Sequence, residues 1–190
     1  MPDLLKAYPR EFYERHAPAV ARDLLGAVLC RALDGERILS GKIVETEAYT
    51  AYDPACHAFR GRTPRTAVMF GPPGVAYVYF IYGMYFCLNV VTEPDGVPGA
   101  VLIRAVDSRG CDGPGKLCRQ WQITGRENGV SLMSPASGLW ICPGSPVPDR
   151  GVLTSERIGI SRGQEHHWRY FLKDHPAVSG RAHGKRASGR

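Results

Sequence analysis

Tyr77-Val78-Tyr79-Phe80-Ile81-Tyr82-Gly83-Met84-Tyr85-Phe86-Cys87-Leu88-Asn89 is crowded with aromatic side chains and carries no charge. Gly83 lies near its middle, where two strands can fold back on each other. The pattern predicts a β-hairpin with a buried body. Burial does not account for the Tyr82-Gly83-Met84-Tyr85 tip, because hairpin tips face water and ordinarily carry polar residues. A rigid apolar wedge at an exposed tip is what a protein needs to part stacked bases. Such a tip points to nucleic acid.

Upstream of the hairpin, Arg37 to Tyr49 reads as a strand, paired through an Asp34-Gly35 turn with a strand over Ala27 to Leu33. Strand alternation places Glu45, Glu47 and Tyr49 on one face and Val44, Thr46 and Ala48 on the other. The two carboxylates then lie roughly 6–7 Å apart. One can serve as a general base while a structural partner holds the other; the same pair also reads as surface glutamates in salt bridges. Downstream, Ala100 to Val106 reads as an apolar strand in which Arg104 requires a counter-charge, and a glutamate is the obvious source. Asp112-Gly113-Pro114-Gly115 reads as a helix start running into Lys116 to Gln122, similar to a phosphate-accepting helix N-terminus but without Walker spacing.

The remaining segments are plainer. Residues 10 to 25 read as one helix stopped by Gly26, residues 50 to 74 as a long Pro-rich loop, and Leu139 to Cys142 and Arg157 to Ile160 as short strands. Residues 179 to 190 read as a disordered basic tail after a single domain over 1 to 178. With 190 residues the chain can bury one sizeable core. Its net charge of +6 falls to about +2 without that tail, so whole-chain charge says little about nucleic acid. A local cluster says more: Arg60, Arg62 and Arg65 stand together without an acid, although a solvated loop would read the same way. The N-terminal residues do not resemble a signal peptide, and no apolar run is long enough for a transmembrane helix. The expected location is intracellular, cytoplasmic or nucleoid-associated (nuclear in a eukaryote), with six reduced cysteines. None of them forms a C-x-x-C pair, and His166-His167 lacks the partners of a zinc site, so no metal and no cofactor are expected.

Taken in order, Val44-Glu45-Thr46-Glu47-Ala48-Tyr49, His57, Thr63-Pro64-Arg65, the Tyr77 to Asn89 run, Arg104, Gly113-Pro114-Gly115-Lys116-Leu117-Cys118 and Arg157-Ile158-Gly159-Ile160 resemble the alkyladenine (3-methyladenine, N-methylpurine) DNA glycosylases over roughly residues 15 to 172. The resemblance implies an α+β single domain. Its curved, open-barrel-like antiparallel sheet would be flanked by helices, with the aromatic hairpin projecting into the DNA minor groove. It further implies that Glu47 activates water, with Arg104 and the backbone carbonyl of Ile158 holding that water. Tyr49, His57 and Tyr79 would wall the base pocket, Asn89 would face the purine edge near its 2-position, and Tyr82 would be the wedge, with Met84 and Tyr85 beside it. The segment Ala105 to Asp112 is shorter than in most relatives, which affects DNA contacts of that arm and not the pocket.

Residue chemistry agrees with these roles. A base within a duplex must be extruded before its sugar carbon can be attacked. Unstacking costs a few kcal/mol, and stacking on aromatic walls returns roughly 1–3 kcal/mol. Arg60, Arg62, Arg65 and Lys116 are candidate contacts to the DNA backbone. Only five lysines occur and none stands out in the pocket motifs, which favours a water nucleophile over a Schiff base. The expected activity is that of a monofunctional glycosylase acting, as a monomer, on alkylated or deaminated purines in double-stranded DNA. The alternatives are a non-catalytic lesion-binding module of the same fold, a glycosylase with lyase activity, and an acyl-transfer enzyme of related barrel fold.

Overall fold

The computed structural model describes residues 3–33 and 37–180. Two short helices, α1 (Arg10–Tyr13) and α2 (Ala17–Asp23), precede strands β1 (Val28–Leu33), β2 (Arg37–Tyr49), β3 (Ala76–Ile81), β4 (Tyr85–Val91) and β5 (Ala100–Asp107). Helix α3 (Pro114–Gln120) follows, then β6 (Leu139–Cys142), β7 (Val152–Ser155) and β8 (Arg169–Leu172). Every named pairing is antiparallel, in the order β3-β4-β5-β2-β1-β6, with β8 joined to β2 and β7 joined to β8. This is the expected α+β arrangement, a curled half-barrel sheet with few helices.

Strand β2 is the axis of the molecule. Its first half pairs with β1, its second half pairs with β8, and β5 runs along its other edge. Helix α2 packs against β2 and β5, so Thr46 meets helix backbone and donates its hydroxyl to the Ala21 carbonyl at 2.8 Å. Helix α3 packs against β4 and β5 and buries Leu117, with Trp121 buried just past its end. Burial of such side chains contributes about 1.5–3 kcal/mol each.

Several expectations are corrected. The single helix over 10 to 25 is two. Pro18 stands within the first two positions of α2, and a continuous helix would drive its ring into the carbonyl of Glu14. The Glu93 carboxylate instead accepts from the Ala17 N–H at 2.8 Å. The Asp34-Gly35 turn lies outside the described residues. Arg157 to Ile160 is a turn, not a strand; the strand lies earlier, at β7. The 50–74 loop contains a 3₁₀ turn over Ala67–Phe70, and α3 ends at Gln120 because Gln122 has a left-handed φ of 52°. Ser179, placed by sequence in a loose tail, is buried and bonded to Glu45. The pairing of β2 with β5 is irregular between Ile43 and Thr46. Val44 therefore packs with Leu25, Ala105 and Leu172, while Ile43 joins Ala48 in the main core, which strict alternation forbids.

Candidate active site

The inward residues of four strands open onto one cavity of about 630 Å³. Strand period two delivers them: Tyr77, Tyr79 and Ile81 of β3 face the cavity, while Val78 between them packs in the core with Leu88. Cys87 and Asn89 of β4, Leu102 and Arg104 of β5, and Glu47 and Tyr49 of β2 complete the walls and floor.

The irregularity in β2 divides the two glutamates. Glu45 is fully buried in a closed cage and does not border the cavity. It accepts from Arg104 Nε at 3.0 Å, Arg169 Nε at 2.7 Å, and the Ser179 N–H at 2.6 Å and hydroxyl at 2.9 Å. Glu47 is equally buried yet borders the cavity. Its Oε1 accepts from the Ile158 N–H at 2.7 Å and lies 3.3 Å from Arg104 Nη1, and its Oε2 accepts from the Tyr49 hydroxyl at 2.8 Å. Arg104 thus bridges both carboxylates. Burial opposes its charge, but Glu47 and Glu45 outweigh that cost and hold the guanidinium protonated above its ordinary range. Burial, and then the Glu47 charge, push the Tyr49 hydroxyl well above the usual phenol range, so it stays a donor.

The expected pocket residues come together. His57 stands at the mouth, its Nδ1 2.9 Å from the Tyr77 hydroxyl and its ring edge-on to Tyr79 at 4.5 Å between centroids. Partial burial, with the Arg65 charge adding, lowers the His57 pKa and favours neutral imidazole. Asn89 is buried and donates Nδ2 to the Tyr77 carbonyl at 3.0 Å across the β3–β4 pair. Ile158 also meets the catalytic candidate Glu47 directly, through its backbone N–H.

At the hairpin tip, Tyr82 is 77% exposed and Met84 64%, so both project. Tyr82 holds a left-handed φ of 54° before Gly83 at 68°. Such a backbone is uncommon for an aromatic residue and concentrates at functional sites. Tyr85 is not part of the projecting tip. It pairs with Ile81 and packs on α3, where a Cβ on Gly115 would lie 2.9 Å from its ring.

The basic candidates are exposed but differ in their surroundings. Arg60 and Arg62 are exposed on the same loop. The Arg65 guanidinium lies 5.3 Å from the Tyr79 ring centroid, and Lys116 is paired with Asp112 at 2.9 Å. Among the described residues, no three of His, Cys, Asp and Glu gather as metal ligands, and no helix is long and apolar enough to cross a membrane.

Residue reading passed over the Asp53–Arg157 ion pair beneath Tyr49, and Arg169 and Ser179 around Glu45. Arg157 stood within a quoted motif, but nothing local marks it as buried. Arg169 lies on a strand whose alternation is too short to read.

The methylpurine-DNA glycosylase (MPG) family model matches residues 11–176. A protein of Synechococcus sp. (strain JA-3-3Ab) is 46% identical over 190 residues, covering 89% of this chain and 97% of its own. One of Myxococcus xanthus (strain DK1622) is 50% identical over 160 residues, covering 80% and 81%. One of Methanocella arvoryzae (strain DSM 22066 / NBRC 105507 / MRE50) is 45% identical over 199 residues, covering 93% and 97%. Each bears the description "Putative 3-methyladenine DNA glycosylase". The family match takes in every strand that builds the cavity, and the chain belongs to the methylpurine-DNA glycosylase family, DNA glycosylases that hydrolyse N-glycosyl bonds.

Proposed function

We propose that this protein extrudes an alkylated or deaminated purine from duplex DNA and hydrolyses its N-glycosidic bond with a water activated by Glu47. Glu47 carries the proposal: it is a fully buried carboxylate at the wall of an aromatic cavity, and its partners are all donors. In the step, Glu47 takes a proton from water as the water oxygen bonds to the sugar carbon C1′. The C1′–N bond breaks and its electron pair leaves with the base. A cationic alkylated purine leaves neutral, and aromatic walls suit such a cation while it is bound; a neutral deaminated purine leaves as its anion and takes a proton from solvent.

Arg104 and the Ile158 carbonyl hold the water in this scheme. Tyr49 and Tyr79 stack on the extruded base, His57 closes the mouth, and Asn89 meets the purine edge near its 2-position. Tyr82, with Met84 beside it, fills the gap left in the duplex, and Tyr85 braces the hairpin from α3. Arg60, Arg62, Arg65 and Lys116 meet phosphates, and the enzyme acts as a monomer at intracellular DNA. The deciding assay is release of base from defined duplexes, each with one lesion, run with borohydride present. Free base with no trapped covalent adduct is the expected result. Tight lesion binding with no release would instead favour the non-catalytic binding module, and a trapped adduct the lyase.

A further inference from the structure

Glu47 receives two of its hydrogen bonds from the Tyr49 hydroxyl and the Ile158 N–H. Both groups adjoin one side chain outside the cavity. The Arg157 guanidinium lies 4.7 Å from the Tyr49 ring centroid and 5.4 Å from that of Trp168. Arg157 does not border the cavity whereas Tyr49 does, so the guanidinium covers the outer face of the tyrosine and leaves its inner face to the pocket. Arg157 Nη1 donates to the carbonyl of Ala48, between Glu47 and Tyr49, at 2.9 Å. Both Nη atoms donate to the Asp53 carboxylate, and Nη2 also reaches the Gly163 carbonyl at 3.0 Å. The Arg157 and Asp53 side chains are both 0% exposed. Gly163 seals them in: a Cβ there would lie 2.6 Å from Asp53 Oδ1 and 2.9 Å from Arg157 Nη2.

An ion pair this deep is weak evidence for stability, because desolvation offsets much of its attraction. Its geometry suits another task. A planar fork can grip a carboxylate with two parallel bonds while stacking on a ring; an ammonium cannot. The residue after Arg157 is Ile158, so one clamp sets both the tyrosine plane and the peptide that donates to Glu47. We infer that Arg157, oriented by Asp53, is a positioning residue that fixes the Tyr49 hydroxyl and the Ile158 N–H and thereby the catalytic carboxylate, an inference that rests on the role proposed for Glu47.

The test combines single-turnover base release at saturating enzyme, the Kd for the same lesion duplex, and thermal melting, on Arg157→Lys and the isosteric Asp53→Asn. Release slows about 10- to 100-fold, as expected when reacting groups shift by about an ångström, while Kd stays within about threefold. Asp53→Asn carries the test should Arg157→Lys fail to fold. Melting falls in either case, because a buried pair loses a partner; a purely structural role would leave the rate of the folded enzyme alone. In a Glu47→Gln background, Arg157→Lys then changes the residual rate by less than about twofold, because the group through which it acts is gone. Independent, multiplying losses in the double variant overturn the positioning role, as does a full rate in both single variants. A Glu47→Gln enzyme that releases base at a near-normal rate overturns the role of Glu47 as well, which separates the two failures.

Discussion

Two glutamates of β2, two residues apart, sit in opposite kinds of surroundings. Glu45 is enclosed by Arg104, Arg169 and Ser179, and its bonds tie β2 to β5, β8 and the C-terminal segment. Glu47 is tied by Arg104, Ile158 and Tyr49, and it keeps an open side toward a cavity. Burial alone does not distinguish them, since both are 0% exposed. What distinguishes them is whether the neighbouring space is filled by protein or left for a substrate. A carboxylate saturated by buried cations holds a fold together, whereas one beside an open cavity can take a proton.

Exchanging each carboxylate for its amide breaks this comparison most directly. Glu47→Gln lowers base release by about 10²–10⁴, while lesion binding and melting stay near wild type, because Arg104 keeps Glu45 as its partner. Single-turnover release and a melting curve decide it, and a near-normal rate would sink the assignment. Glu45→Gln has the reverse signature. Arg169 loses its carboxylate and the fold loses about 3–5 kcal/mol. For a chain of this size that lowers Tm by roughly 6–20 °C, with release by the folded enzyme changed less than tenfold. If Glu45→Gln melts normally, the cage is not what holds the sheet.

Hairpin substitution sharpens the contrast between the open and closed regions. Tyr82→Gly removes the wedge and relieves a left-handed backbone, so stability holds or rises by up to about 1 kcal/mol. Fluorescence of a 2-aminopurine beside the lesion then loses its flipping signal. An unchanged signal would move the wedge to Met84, the next most exposed tip residue. The smallest effect concerns His57 at the mouth. Its folded-state pKa lies below the ordinary 6.5, so the unfolded chain binds the proton first. The stability it contributes is therefore present above pH 6.5 and is lost as pH falls through the lowered folded value. Solvent at the mouth screens the effect and keeps it small. His57→Gln should flatten that portion of the Tm-against-pH curve, and an unaltered curve would remove His57 from the balance.

Much of the site was legible because strand period is local. Alternation put Glu47 and Tyr49 together at the cavity, though not Glu45, and the need of an apolar strand's arginine for a counter-charge linked Arg104 to a glutamate, as observed. The aromatic run reads as a hairpin because its turn and both strands are contiguous. Where expectation failed, the cause was non-local or a competing local rule. Pro18 outranked the helical pattern over 10 to 25. Tyr85 left the tip because α3, brought in from downstream, offered a bare Gly115 to pack against.

The sequence by itself determined the family, the hairpin and the residue types of the pocket, since ordered motifs and two-residue periodicity are properties of the chain alone. Only the tertiary structure decided which glutamate faces a cavity and which is walled in, because that depends on Arg169 and Ser179 arriving from residues far along the chain. It also decided that Asp53 and Arg157, separated by more than half the chain, meet under Tyr49. Burial and charge pairing are properties of space, and a pair of opposite charges is indistinguishable from solvated surface residues until the fold closes over it.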